Sequence, residues 1–168
     1  STSIGHLSQI VDQSGQAWFF YDTMGQIIGT LKTLQGNTTP YLTQTAYDQM
    51  GRVTSITYPQ ESTEPVAQVV NYCYSLDGWL SFVTDAAPCS TSPNPYYASY
   101  TDYNAMGQPK TVVFGNDVTT HYTYDDTNQP DTTTPSFRLK SILTDTTINS
   151  ATVTYQNLSY AYDPVGNV

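Results

Sequence analysis

Charge is scarce in this 168-residue chain. Asp, Glu, Lys and Arg make up 11% of it, less than half of the roughly 25% usual for a soluble domain, which excludes long helices laced with ion pairs. Basic residues are the scarcest, with five Lys and Arg against fourteen Asp and Glu and a net charge of −9. Such a chain repels a phosphate backbone and offers no basic stripe, so nucleic acid is excluded as a partner. Long apolar runs are missing too. The stretch from Ala17 to Tyr21 is among the longest, well short of the roughly 18 to 20 residues that cross a bilayer, and no membrane span is predicted. The opening Ser1-Thr2-Ser3-Ile4-Gly5 has neither an initiator methionine nor the basic start and apolar core of a signal peptide, so the chain reads as a piece of something longer. Only two cysteines occur, Cys73 and Cys89. One falls in a strand pattern and one in a loop, so free thiols are the expectation, with pairing and redox compartment left open.

What is present is tyrosine, with fifteen copies against five phenylalanines and two tryptophans. Together with abundant Thr, Ser, Asn and Gln it favours extended strands and disfavours helix interiors. The expected fold class is all-β.

The tyrosines are not scattered. Tyr21-Asp22-Thr23-Met24-Gly25 returns as Tyr47-Asp48-Gln49-Met50-Gly51, Tyr74-Ser75-Leu76-Asp77-Gly78, Tyr103-Asn104-Ala105-Met106-Gly107, Tyr124-Asp125-Asp126-Thr127-Asn128 and Tyr162-Asp163-Pro164-Val165-Gly166. The steps between the tyrosines are 26, 27, 29, 21 and 38 residues, a repeat with an elastic period. In each unit Asp, Asn or Ser can accept a hydrogen bond from the backbone N–H two residues on. Three residues later glycine, or in one case Asn128, takes the left-handed conformation. This is the chemistry of a type I turn closed by a glycine bulge.

An outgoing strand follows each turn, with aliphatic residues two and usually five positions after the glycine: Leu7 and Ile10, Val53 and Ile56, Leu80 and Val83. Offsets of two and five break a strict alternation, which predicts a bulge or bend inside the strand. An incoming strand precedes each turn, often as Tyr-x-Tyr, placing both rings on one face. Looser second turns join outgoing to incoming strands, at Asp12-Gln13-Ser14-Gly15, Asp85-Ala86-Ala87-Pro88 and Gly115-Asn116-Asp117 among others, and an insertion runs from Gln129 to Ser136. The chain therefore reads as antiparallel strand pairs adding to one continuous sheet. Residues 1–168 form a single run of repeats, with turn glycines or equivalents at 5, 25, 51, 78, 107, 128 and 166 and no internal domain boundary, cut within a repeat at both ends. The ends would leave edge strands open to pairing with neighbouring repeats of the same longer chain.

Six Tyr-Asp-type turns in succession, with an aliphatic at the second and fifth positions after the glycine, resemble the YD repeat of the Rhs family, which includes the shells of Tc toxin B and C components, bacterial Rhs and wall-associated proteins, and the YD barrels of teneurins. The stretch from Gly5 through Gly15 into Tyr21-Asp22 is similar to a full consensus repeat, and the segment from Tyr103 to Gly166 particularly resembles Tc and Rhs shells. The resemblance covers essentially the whole chain. It implies a strip of β-hairpins spiralling into a hollow shell, barrel or tube that encloses or presents another polypeptide, a toxin or effector, in a secreted or cell-surface protein. It also implies no chemistry by the repeats themselves. The self-cleaving aspartate segment that closes some bacterial shells has no counterpart in these residues.

Sharper chemical readings lose to plainer ones. Asp22, Asp48, Asp125 and Asp163 share one turn position, so they read as turn caps and not as the paired carboxylates of a glycosidase. Asp125-Asp126-Thr127-Asn128 and Asp145 lack the dense alternation of a calcium loop. His6 and His121 have no companions at ligand spacing, and neither a serine elbow nor a phosphate loop occurs. No catalytic residue, metal site or cofactor is expected, and the chain is read as a non-enzyme. Sequons stand at Asn37-Thr38-Thr39 and Asn157-Leu158-Ser159. The tyrosines at equivalent places are expected to stack along the sheet. The alternative is a carbohydrate-binding or adhesive surface module whose aromatic rows hold glycans, since Trp18 to Gly25 also resembles a unit of choline- or glucan-binding repeats.

Overall fold

The computed structural model describes residues 5–60, 66–85, 89, 95–125 and 136–168. Among the described residues twelve strands form one antiparallel sheet that does not close, and each strand lies next to its neighbour in sequence. That order follows from the repeat: a chain that only ever turns back on itself has no crossover to make.

The chain falls into two units. The first holds residues 1–72 with 85–89, and the second holds 73–84 with 90–168. In the first, β1 (Gln9–Asp12), β2 (Gly15–Tyr21), β3 (Ile27–Leu34), β4 (Tyr41–Tyr47) and β5 (Val53–Thr57) pair in succession, and β6 (Val69–Tyr74) begins. In the second lie β7 (Leu80–Thr84), β8 (Ala98–Tyr103), β9 (Pro109–Phe114), β10 (Thr119–Tyr124), β11 (Leu139–Ile148) and β12 (Ala151–Ser159), again paired in succession.

The bulge predicted from the two-and-five spacing is present. Tyr47 opposes Val53 and Ala46 opposes Ser55, so Thr54 is the extra residue, and Thr45 then opposes Ile56. Cross-strand partners share a face. Because Tyr47 and Thr45 are two apart on an unbroken strand, Val53 and Ile56 lie together on the face of the motif tyrosine. The same shift sits at Ile28, between Phe20–Gly29 and Tyr21–Ile27, and at Lys140, between Thr123–Ser141 and Tyr124–Leu139. In β8 and β9 both strands carry an intervening residue, Asp102 and Lys110, and Asp102 takes a φ of 56°.

With one layer, little is buried. Among the described residues the buried apolar side chains are Cys73, Ala98 and Val112, beside the buried hydroxyls of Thr84, Ser99, Thr120 and Thr146. The threonine hydroxyls find partners: Thr84 donates to the Pro95 carbonyl at 2.7 Å, Thr146 donates to the Asp117 carbonyl at 2.8 Å, and Thr120 and Thr144 share a bond at 2.9 Å. Such a sheet gains its order from neighbour-to-neighbour contacts.

The thiols differ from expectation, for Cys73 and Cys89 are both disulfide-bonded.

Candidate functional site

The described motif residues occupy the turns that follow β2, β4, β6, β8, β10 and β12. Each turn is framed by two backbone bonds. The Asp22 N–H donates to the Gln26 carbonyl at 3.0 Å and the Gly25 N–H to the Asp22 carbonyl at 3.3 Å, and equivalent pairs occur at Asp48, Ser75, Asn104 and Asp163. The glycines of these turns have positive φ, 82° at Gly25, 78° at Gly51, 90° at Gly78, 75° at Gly107 and 97° at Gly166, with Gly5 at 84°.

The side chain at the second motif position ties the turn to itself. Asp22 accepts from the Met24 N–H at 2.8 Å, as the sequence suggested, and from the Gln26 N–H at 2.9 Å, a second bond that the sequence did not reveal. Asp48 accepts likewise from Met50 and Arg52, Asn104 from Met106 and Gln108, and Asp163 from Val165 and Asn167. Ser75, one atom shorter, takes the Trp79 N–H at 3.2 Å. Asp48 adds the Arg52 guanidinium, with Nε at 2.7 Å and an ion pair at 2.7 Å.

At Asp48, Asp163, Asp125 and Asp12 such bonds favour the ionised carboxylate. Asp48 is held below the ordinary carboxylate range, first by the Arg52 backbone N–H and then by its guanidinium. Asp163 is held down first by the Asn167 side-chain amide and Asp125 first by the Ser136 hydroxyl, while in a second turn the Ser14 hydroxyl lowers Asp12. Every one of these carboxylates is occupied by its own turn.

The motif tyrosine reaches out of its repeat. The Tyr21 hydroxyl donates to the Leu7 carbonyl at 2.6 Å, Tyr47 to Ile27 at 2.9 Å, Tyr103 to Leu80 at 2.6 Å, Tyr124 to Pro109 at 3.3 Å and Tyr162 to Leu139 at 2.8 Å. Four of the acceptors, Leu7, Ile27, Leu80 and Pro109, stand two residues after the preceding turn glycine, so the phenol spans the joint between successive repeats. Burial raises the Tyr103 and Tyr124 phenols above their ordinary range. Tyr74 sits at the end of β6, immediately before the Ser75 turn.

Asn128, expected to close the fifth turn, lies outside the described residues, as do Asp126 and Thr127. The closing bonds come from across the insertion: the Asp125 N–H donates to the Arg138 carbonyl and the Phe137 N–H to the Asp125 carbonyl, both at 2.8 Å. Phe137, with φ 54°, stands where the other turns have glycine. The two-and-five rule would have found it, for Leu139 and Ile142 follow Phe137 at those offsets.

The sharper candidates stay apart. His6 lies on the Tyr21 ring, and His121 is exposed on β10 opposite Thr111 and Leu143. No group of three or more His, Cys, Asp or Glu stands at metal-holding distance among the described residues. No helix among them is long and apolar enough to cross a membrane.

No protein-family model matches the chain, and no curated protein matches it either. Solved structures do. The chain is similar to a crystal structure of TcdB2-TccC3, with a TM-score of 0.68 and 23% identity over 96% of this chain and 8% of that one. A structure of TcdB2-TccC3 without its hypervariable C-terminal region matches at a TM-score of 0.66 and 24% identity over 97% of this chain and 8% of that one. The fold is that of the Tc toxin shell, an Rhs/YD-repeat sheet, of which this chain spans about one-twelfth of the length.

Proposed function

We propose that this chain is a non-enzymatic section of wall in a larger YD-repeat shell, enclosing or presenting another polypeptide, a toxin or effector, in a secreted or cell-surface protein. One observation carries the reading: over 96% of its length the chain shares the fold of TcdB2-TccC3. The local chemistry supports it. Each Asp, Asn or Ser of the described turns serves its own backbone, each described phenol bond of the motif holds a neighbouring repeat, and the neighbouring repeats of the longer chain are the natural partners. The disulfide-bonded cysteines favour an oxidising compartment and hence export. Electron microscopy of the full-length assembly, with mass spectrometry of what co-purifies, tests it. A hollow particle with a protease-protected polypeptide inside is expected; a solid or empty particle on which every co-purifying polypeptide is protease-sensitive would overturn it.

A second reading has one feature in its favour. Tyr96, Tyr97, Phe114, Gly115, Asn116 and Val118 line an open concavity of about 440 Å³, with Tyr97 and Phe114 well exposed. Aromatic faces beside a side-chain amide suit a neutral sugar ring, which would make the chain an adhesive module. Glycan binding that is lost on Tyr97→Ala would favour it; a glycan panel without binders would remove it.

A further inference from the structure

The turn glycines are usually explained by their positive φ, yet the side chains around them show a second demand. His6, one residue after Gly5, stacks on the Tyr21 ring at 4.7 Å between centroids and 29°. Its Cε1 would lie 3.1 Å from a Cβ placed on Gly25. Gln26, one residue after Gly25, donates its amide to the Gly51 carbonyl at 3.2 Å and would lie 3.1 Å from a Cβ on Gly51. Trp79, one residue after Gly78, stacks on Tyr103 at 5.5 Å and 16°, and a Cβ on Gly107 would clash with Cζ3 and Cη2 of its ring. Arg138, one residue after Phe137, holds its guanidinium carbon 5.4 Å above the Tyr162 ring and would lie 3.1 Å from a Cβ on Gly166. A Cβ on Gly5 would meet nothing within 4 Å.

We infer that at these four joints the residue directly after the turn glycine, or after Phe137, is the specificity-determining contact, the side chain by which one repeat engages the turn of the next, whereas Arg52 and Gln108, after Gly51 and Gly107, bond Asp48 and Asn104 of their own turns. The contact survives an elastic period because it depends on where the incoming strand returns, not on how many residues intervene. It runs one way along the chain, from the residue after one glycine to the following turn. Its strength depends on the side chain used: a flat aromatic over a tyrosine and a cation over a ring attract beyond their buried area, whereas glutamine offers one hydrogen bond and a flexible end. The Trp79 joint is therefore the stringent one, where the next residue must be glycine for space as well as for φ, and the Gln26 joint is permissive. The inference concerns how the wall is held together and stands whether or not the wall encloses a passenger.

Amide exchange read peptide by peptide in the full-length protein tests it, because exchange reports local opening. Trp79→Ala is expected to speed exchange across Tyr103–Gly107 about tenfold and to leave the Tyr21–Gly25 turn unchanged, with Trp79→Tyr restoring most of the protection. Gly107→Ala is expected to speed it further, and the double variant to exchange no faster than Gly107→Ala alone, since the clash has lost its partner. Multiplying effects in the double variant, or Trp79→Tyr behaving like Trp79→Ala, would overturn the assignment. So would a change in exchange spread evenly over the chain, which signals general destabilisation.

Discussion

The Tyr103 hydroxyl donates to the Leu80 carbonyl at 2.6 Å, while Tyr124, at the same place in the next motif, reaches the Pro109 carbonyl at 3.3 Å. One short bond and one long bond of the same design make a built-in comparison. A hydrogen bond of good geometry contributes about 1 kcal/mol, and a long one less. Tyr103→Phe should therefore destabilise by about 1 kcal/mol and Tyr124→Phe by clearly less, as read from denaturant midpoints at constant m. Equal losses would mean that the phenol bond is not what couples the repeats.

Gly51, at φ 78°, has only the flexible Gln26 amide over it. A β-branched residue there must take a conformation closed to it, so Gly51→Val should cost more than about 1 kcal/mol. Gly51→Asn should cost less, because asparagine tolerates the left-handed region. A thermal midpoint unmoved by valine would refute the turn geometry.

Asp12, Asp48, Asp125 and Asp163 all have lowered pKa values in the folded state. A carboxyl whose folded pKa is depressed contributes stability that is fully present above its unfolded value, 3.8 for aspartate, and lost as pH falls through the folded value. At the alkaline end the sign reverses: the raised phenols of Tyr103 and Tyr124 contribute below pH 10 and cease to as pH rises through their folded values. Thermal midpoints should hold level from about pH 5 to pH 9 and fall at both ends, and a midpoint that rises on acidification below pH 4 would contradict the turn bonds.

Reduction bears on the disulfide. Cys73 and Cys89 close a short loop, and a bridge over about fifteen residues stabilises by about 3 kcal/mol in the chain-entropy account. Dithiothreitol should lower the unfolding midpoint accordingly, with Cys73→Ser matching the reduced protein. A midpoint indifferent to reductant would show that the loop is ordered without the bond.

How far the sequence reached is clearest in the bulge. Val53 and Ile56 stand three apart, and that spacing alone required an extra residue between them, found at Thr54. The turn chemistry was legible for the same reason, since Asp, Asn, Ser and Gly are local choices made for local geometry. Phe137 was missed, because φ 54° on a phenylalanine has no signature in residue type and an insertion separates it from Asp125, and the only signal for it is the spacing to Leu139 and Ile142. The disulfide also stayed hidden, for two lone cysteines carry no spacing code. The contacts of Trp79 and Arg138 with the following repeat join residues 24 apart, Trp79 to Tyr103 and Arg138 to Tyr162, which only the sheet register could align.

The second motif position offers a last test, because the chain already carries three solutions to it. Asp48 accepts two backbone N–H bonds on Oδ1 and the Arg52 side chain on Oδ2. Asn104 keeps the two backbone bonds, at 3.0 and 3.1 Å, with a neutral amide, and Ser75 keeps a bond to the fourth residue on. The backbone bonds should therefore dominate, as they do at a helix cap, where losing the acceptor costs about 1 kcal/mol. The Asp48–Arg52 pair is partly exposed and screened. Asp48→Asn should thus be nearly neutral at pH 7 and should weaken the fall in stability below pH 4, whereas Asp48→Ala should cost about 1 to 2 kcal/mol. If asparagine proved as damaging as alanine, the charge and not the turn would be what Asp48 supplies.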